Sequence, residues 1–370
     1  LVKFDTIVVG GGLLGMSVAY GLLQHRQAVA VVDEGDIAHR ASRGTFGLVW
    51  VQGKGRKMPG YARWTRKSIE LWPAFAEEMK TKTGIDVAYS NCGGYKFAFS
   101  EQEFDERRAA YDEICASLYL DHPDYEILDR KAVAVDFPGI GDTVLGATYC
   151  PLDGDCNPLA LLHALRLAFI ADGGQYFPGQ CVVEIADDGP QPTLQTTGAQ
   201  LVADRIILAA GIANMKIART LGCELPLHPL RGQILVSERV KPMIPHLTHV
   251  IRQTKEGSIM FGDSHEDVGI DDSTTSSTIR AVAGNAVKTF PFLRQIRIVR
   301  AWACLRPMPV DGFPIYDGIP DHPAVMVLNT HSGVTLAAVH ARILATQIAD
   351  GTLGTEDRCF SMDRFNVQVA

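Results

Sequence analysis

The pattern of apolar and polar positions changes character several times along the chain. Thr6-Ile7-Val8-Val9 and Ala28-Val29-Ala30-Val31-Val32 are short continuous apolar runs, largely β-branched and without alternation. That is the pattern of strands buried on both faces of a parallel sheet. Between them, Gly10-Gly11-Gly12-Leu13-Leu14-Gly15 opens a helix predicted to reach about Gln24. Ile69, Trp72, Phe75 and Met79 recur at helical spacing within residues 61–82, and Phe104, Tyr111, Ile114 and Leu118 share a face within 101–118. Asn157-Pro158 pairs a capping residue with a first-turn proline, and Gly173-Gly174 stops the helix they start. Residues 202–209 and 325–328 read as further buried strands, the second followed by a helix over 334–349. From 222 to 302 the texture shifts to short alternating segments at 233–237, 258–261 and 296–302, which read as antiparallel strands. Residues 271–278 form a polar loop before one more helix. The two textures interleave, which predicts an α/β fold: a doubly wound domain threaded through a smaller α+β antiparallel-sheet domain.

Composition narrows the classes without choosing among enzymes. The 370 residues are 46% hydrophobic and 21% charged, with 35 Gly and 19 Pro. This is globular composition with material for roughly two domains. A net charge of -7 with no basic block removes the electrostatic case for nucleic acid or anionic lipid. No uncharged apolar run is long enough for a membrane segment. The eight cysteines contain no Cys-x-x-Cys, so a disulfide scaffold, zinc ribbon or ferredoxin cluster loses support. The eleven histidines show no ligand-like spacing, so no metal site is expected. Lys3 and Asp5 flank the first strand where a signal peptide would be apolar, and a cytoplasmic protein is expected.

Gly10-x-Gly12-x-x-Gly15 follows a strand and opens a helix, and Asp33 lies eighteen residues beyond Gly15. The first glycine suits a tight turn, the second lets a pyrophosphate approach the backbone, and the third lets helix pack on strand. The helix N-terminus offers free N–H groups to the phosphates. Leu14 and Glu34 are expected contacts beside the turn and beside Asp33, whose carboxylate suits ribose hydroxyls and repels a 2′-phosphate. The motif predicts a dinucleotide and leaves FAD and NAD open.

Arg40-Ala41-Ser42-Arg43-Gly44-Thr45-Phe46-Gly47, Ile206-Ile207-Leu208-Ala209-Ala210-Gly211 and Gly312-x-Pro314-Ile315 resemble the D-amino-acid oxidase/glycine oxidase superfamily of FAD-dependent oxidoreductases, in order and over nearly the whole chain. The resemblance implies a Rossmann-like FAD domain of residues 1–84, 146–222 and 309–370, and a substrate domain of 85–145 and 223–308. It implies FAD contacts at Ser42, Arg43, Thr45 and Gly47, an adenine contact at the Val183 backbone, and contacts at Ala210 and Gly211. His331-Ser332-Gly333-Val334-Thr335-Leu336 resembles the segment beneath the flavin pyrimidine, with Ser332, Gly333, Val334 and Thr335 as contacts. Trp302-Ala303-Cys304-Leu305-Arg306-Pro307-Met308 resembles the stretch carrying the substrate-binding arginine, which assigns Arg306 to a carboxylate. A planar guanidinium fork suits that partner. His265 and His331 are the other residues expected beside the substrate. Cys304 stands where monomeric sarcosine oxidases attach FAD through sulfur, whereas the glycine-oxidase branch has glycine there, and non-covalent FAD is expected. Met260 stands where those sarcosine oxidases carry a dioxygen-activating lysine, which favours a dehydrogenase.

Residues 40–55 and 58–72 most resemble the catalytic subunit of bacterial opine oxidases. This implies oxidation of a secondary-amine amino acid within a heteromeric complex, by hydride transfer from Cα–H to flavin and imine hydrolysis. Iron–sulfur partner subunits would carry the electrons away, and an FMN at a subunit interface is a further expectation. A self-sufficient glycine or D-amino-acid oxidase stays open. So does the flavin subunit of a hydroxyproline dehydrogenase or hydrogen cyanide synthase.

Overall fold

The computed structural model describes residues 3–35, 40–120, 124–187, 189–262, 264–353 and 358–365. The two glycine-turn strands lie side by side: Lys3–Val9 pairs in parallel with Val29–Asp33 on one edge and with Gln200–Leu208 on the other. His322–Asn329 and Gln175–Pro178 add the outer parallel neighbours. Ile315–Ile319 pairs antiparallel with His322–Asn329 at the edge, and Thr193–Thr196 and Val182–Ala186 add an antiparallel extension beside Gln200–Leu208. Ile7, Val8, Ala30, Val31, Ile206 and Ile207 have no accessible surface, as expected of strands covered on both faces. One face packs Leu13–Gln24, Pro158–Ala171 and the helix around 337–349 into a single core with Trp72 and Phe75. The opposite face buries Leu194, Leu201, Leu221 and Leu225. The helix Pro59–Thr83 begins at its proline and stops at Gly84, whose left-handed φ of 73° ends the helical path.

The alternating texture folds into antiparallel sheet. Leu227–Arg239 pairs with Ile298–Pro309 and with Ser258–Phe261, which pairs in turn with Ile251–Gln253. A further sheet contains Leu247–Thr248, Gly94–Ala98, Gly146–Cys150 and Glu126–Asp129. Phe97, Phe137 and Phe290 sit in the core shared by these sheets.

Three details differ from the sequence expectation. The strand predicted at 296–302 runs on through Pro309, so Arg306 lies within a strand, opposite Leu230. Pro307 and Pro309 fit there because the strand is at a sheet edge, with Leu227–Arg239 as its one ladder partner. Gly146–Cys150 pairs with Gly94–Ala98 and Glu126–Asp129, so it belongs with the smaller layer and not with the doubly wound sheet. The helix expected over 334–349 takes shape only from Ala337 and widens to a π turn at His340–Leu344. Among the described residues no helix is long and apolar enough to cross a membrane.

Candidate active site

The C-terminal ends of the parallel strands open into a cavity of about 950 Å³, the position where open α/β sheets bind ligands. At this end the wall is largely backbone. Gly10 has φ 113°, and a Cβ there would stand 2.5 Å from the Ala209 carbonyl oxygen. A Cβ on Gly15 would stand 2.0 Å from the Gly10 carbonyl oxygen, so helix and strand touch with no room for a side chain. Asp33 closes the turn from the next strand: one carboxylate oxygen accepts from Gly11 N–H at 2.7 Å and the other from Gly35 N–H at 2.8 Å. Ser42 Oγ accepts from Leu13 N–H at 2.9 Å, which fastens the 40–47 loop to the helix N-terminus. Arg40 pairs with Glu34 at 2.5 Å across the same entrance.

Fourteen of the seventeen residues expected at the cofactor line this cavity: Gly10, Gly12, Leu14, Asp33, Glu34, Ser42, Arg43, Thr45, Ala210, Gly211, Ser332, Gly333, Val334 and Thr335. Arg306, His265 and His331 line it too. Three expected cofactor residues stand outside. Gly15 is taken up by helix–strand packing. Gly47 has its space filled by the Cys156 carbonyl oxygen, 2.5 Å from a built Cβ. Val183 is 60% exposed, while its neighbour Val182 lines the cavity, because successive strand residues face opposite ways.

The far end of the cavity is made of side chains. Gly232, Ile234, Cys304 and Arg306 come from two paired strands. A Cβ on Gly232 would lie 2.5 Å from an Arg306 guanidinium nitrogen, so the missing side chain is the room the guanidinium occupies. Arg306 Nη1 donates to the Ser264 carbonyl at 2.9 Å. That segment is held from behind by a polar cluster: buried Arg231 pairs with Glu266 at 2.9 Å and Asp271 at 2.6 Å, and Gln233 Nε2 donates to Glu266 at 3.0 Å. Burial alone would raise the Glu266 carboxyl. The donors Arg231, Thr278, Gln233 and Ser264 outweigh burial and hold it below its ordinary value.

His331 is partly buried on the cavity wall, and its pKa is pushed down to about 3 by desolvation first and then by the charges of Lys54, Arg306 and His265. It is therefore neutral at ordinary pH, and it serves as a hydrogen-bonding group and not as a cationic acid. Its Nδ1 is buried without a protein partner, as is Nδ1 of His249, another lining residue. These orphaned atoms, the glycine-walled turn and the acid at the strand end fit a bound dinucleotide with a ligand beside it. After Ser332, the first bond of the helical path runs from Leu336 N–H to the Ser332 carbonyl at 3.0 Å. The N–H groups of Gly333, Val334 and Thr335 thus precede intrahelical bonding. Thr335 is locked in turn, since its carbonyl accepts from Ser68 Oγ at 2.7 Å and Trp72 Nε1 at 2.9 Å.

Of two side chains weighed in the sequence, Cys304 has the packed surroundings expected of it and the placement of Met260 is corrected. Cys304 is buried, its thiol 3.6 Å from the Gly44 carbonyl oxygen, and burial pushes its pKa up, so it has the character of a packed thiol and not of a nucleophile. Met260 does not line the cavity; its sulfur accepts from Arg252 Nη2 at 3.5 Å on the neighbouring strand. Lys54, Trp50, Gly232 and His249 line the cavity without having been singled out in the sequence. For Lys54 a signal existed: a lone lysine between two glycines directly after an apolar strand.

Known proteins place this arrangement in a family. The DAO family profile, described as FAD dependent oxidoreductase, matches residues 5–347. An opine oxidase subunit of Rhizobium meliloti is 39% identical over 368 residues, covering 100% of this chain and 99% of that protein. The corresponding opine oxidase subunit of Agrobacterium tumefaciens (strain Ach5) is also 39% identical, with the same coverage. The crystal structure of glycine oxidase from Geobacillus kaustophilus superposes with a TM-score of 0.88 at 22% identity, covering 100% of both chains. The chain belongs to the DAO family of FAD-dependent oxidoreductases.

Proposed function

From this membership we propose that the chain oxidises a C–N bond of an amino acid. We further propose that it is the catalytic subunit of an opine-type secondary-amine dehydrogenase. The observation that carries the reading is Arg306, whose guanidinium reaches over Gly232 into the same cavity that the glycine turn and Asp33 enter from the opposite end. FAD would lie along that cavity, held non-covalently, with the 10–15 turn and the 40–47 loop at the pyrophosphate and Asp33 at the adenosine ribose. Ser332, Gly333, Val334 and Thr335 would hold the ring system through the first-turn N–H groups, whose dipoles favour negative charge. When bound, the flavin supplies acceptance of the hydride from the substrate Cα.

The protein's own residues bind and orient. Arg306 would hold the substrate carboxylate, and His331, neutral, would offer a hydrogen bond without adding charge. No general base is required of the chain, since a neutral amine supplies its own lone pair for imine formation. The imine then hydrolyses to an oxo acid and a smaller amine. The opine oxidase relatives are each one subunit of their enzyme, and this chain carries no Cys-x-x-Cys. Both observations support electron exit through iron–sulfur partner subunits. An FMN between subunits and a cytoplasmic setting belong to the same reading. The division into an FAD domain and a substrate domain is also part of it, with 146–150 moved to the substrate side.

The test is a screen of primary and secondary amino acids on the purified native complex under anaerobic conditions, watching the flavin absorbance bleach. Opine-type secondary amines should bleach it fastest, and the isolated chain should reoxidise in air more slowly than the complex turns over with an artificial acceptor. Reoxidation in air at the turnover rate with stoichiometric peroxide would return the reading to a self-sufficient oxidase.

A further inference from the structure

Lys54 is a further cation on the cavity wall and shares with Arg306 a place beside His331. Gly53 and Gly55 adopt left-handed φ values of 73° and 85°, and the turn between them sets Lys54 on the cavity wall. Gly55 has no alternative there, since a Cβ would stand 2.4 Å from the Ala62 nitrogen. Lys54 Nζ donates to Ser332 Oγ at 2.7 Å and reaches Tyr61 OH at 3.4 Å, and those two hydroxyls meet each other at 2.9 Å. Both hydroxyl residues are buried. Among the described residues no carboxylate pairs with Lys54. A half-buried ammonium held by neutral hydroxyls keeps its charge uncompensated until an anion arrives.

We propose that Lys54 binds a second carboxylate of the substrate, opposite the one held by Arg306, and so selects amines flanked by two carboxylates over amino acids with one. The assignment rests on the amine-oxidising reading above for the nitrogen between the two acids. The placement of His331 on the same wall agrees with it, since the charges of Lys54 and Arg306 both act on that ring. A neutral histidine with both cations in range suits a ligand that carries two negative charges and a polar centre.

The test uses the FAD-loaded complex and two unreactive probes, thiodiacetate and methylthioacetate, which share a sulfur centre and differ by one carboxylate. Binding is measured by calorimetry, so that no turnover is needed. The wild type should bind thiodiacetate about 10- to 100-fold more tightly than methylthioacetate, the ratio expected of one charge-assisted pair. Lys54→Met should reduce that ratio to near one while leaving methylthioacetate binding in place, and Lys54→Arg should retain most of it. If Lys54→Met weakens both probes equally, or neither, the assignment is overturned. A lowered flavin midpoint potential with the diacid preference intact would overturn it as well. If Lys54→Met fails to retain FAD, Lys54→Gln reads the same ratio. The underlying reading fails separately: a wild type whose flavin no amine bleaches, yet whose probe ratio still follows Lys54, loses the amine chemistry and keeps the carboxylate site.

Discussion

The two ends of the cavity are built by different means. At the nucleotide end, residues 10–15 and Asp33 sit in one strand–turn–helix–strand unit, and the recognition groups are backbone amides and one carboxylate. At the far end, Lys54, Arg306 and His331 bring side chains from separate stretches, and Gly232 and the Ser264 carbonyl make room for and hold the Arg306 guanidinium. Backbone recognition is written as glycines at fixed spacing, because each must leave out an atom. Side-chain recognition depends on which strand edge and which turn meet in space. The glycine-turn end should therefore depend mainly on its own continuous stretch, and the Arg306 end on remote packing as well as on its own side chains.

The sharpest way to break this comparison is at Arg306. Arg306→Ala should lower kcat/KM for any good amino-acid substrate by about 2–5 kcal/mol of apparent binding, the usual penalty for leaving a charge without its partner. FAD content should stay unchanged. Arg306→Lys, which keeps the charge and loses the fork, should be a partial lesion. An amine without the carboxylate should be a poor substrate for the wild type and nearly indifferent to Arg306→Ala. Unchanged kinetic constants in both variants would remove Arg306 from the substrate and with it the proposed site.

The reciprocal lesion is smaller. Asp33→Ala should weaken FAD retention by about 1.5–3 kcal/mol, the value of a charge-assisted hydrogen bond, as followed by apoprotein titration. Turnover at saturating FAD should change little. If turnover of the saturated enzyme falls instead, the two ends are coupled and the contrast drawn above is wrong.

A last effect concerns pH and the folding of the whole chain. His340 is buried and His331 partly so, and desolvation, joined at His331 by neighbouring positive charges, holds each near a pKa of about 3 in the folded chain against 6.5 for an ordinary histidine. The unfolded chain binds protons that the folded chain refuses, so stability is fully present above about pH 6.5 and is lost as the pH falls toward 3. Each histidine should contribute about 1.4 kcal/mol per pH unit within that window. Urea midpoints measured between pH 7 and 5 should fall accordingly, and His340→Gln should flatten the slope. A slope identical in that variant would show that His340, which meets Tyr316 OH at 2.7 Å, is not a source of the acid sensitivity.

Much of the fold was legible in the sequence because its signals are local. The β-branched runs around Val8 and Val31 announce doubly covered strands, and Gly10, Gly12 and Gly15 announce the turn between them. The helices over Pro59–Thr83, Glu101–Ser117 and Pro158–Ala171 follow from apolar spacing and capping residues, and they fall within two residues of expectation. Legibility failed where one strand's fate depends on a partner. Pro307 and Pro309 look like the end of a strand until the sheet edge supplies a place where their missing N–H groups cost nothing. Gly146–Cys150 carries no mark of the sheet it joins.

By itself the sequence determined the dinucleotide turn, the acid that closes it, and the arginine candidate at position 306. The turn and its acid follow from spacing within a continuous stretch, where geometry follows from the chain's own covalent path, and Arg306 follows from the family resemblance of residues 302–308. Only the tertiary structure decided that Gly232 makes room for Arg306, that the Cys304 thiol packs on the Gly44 carbonyl, and that Lys54 stands on Ser332 and Tyr61. Each of these joins residues far apart in the chain, and strand pairing and the seating of loops on the sheets bring them within a few ångströms.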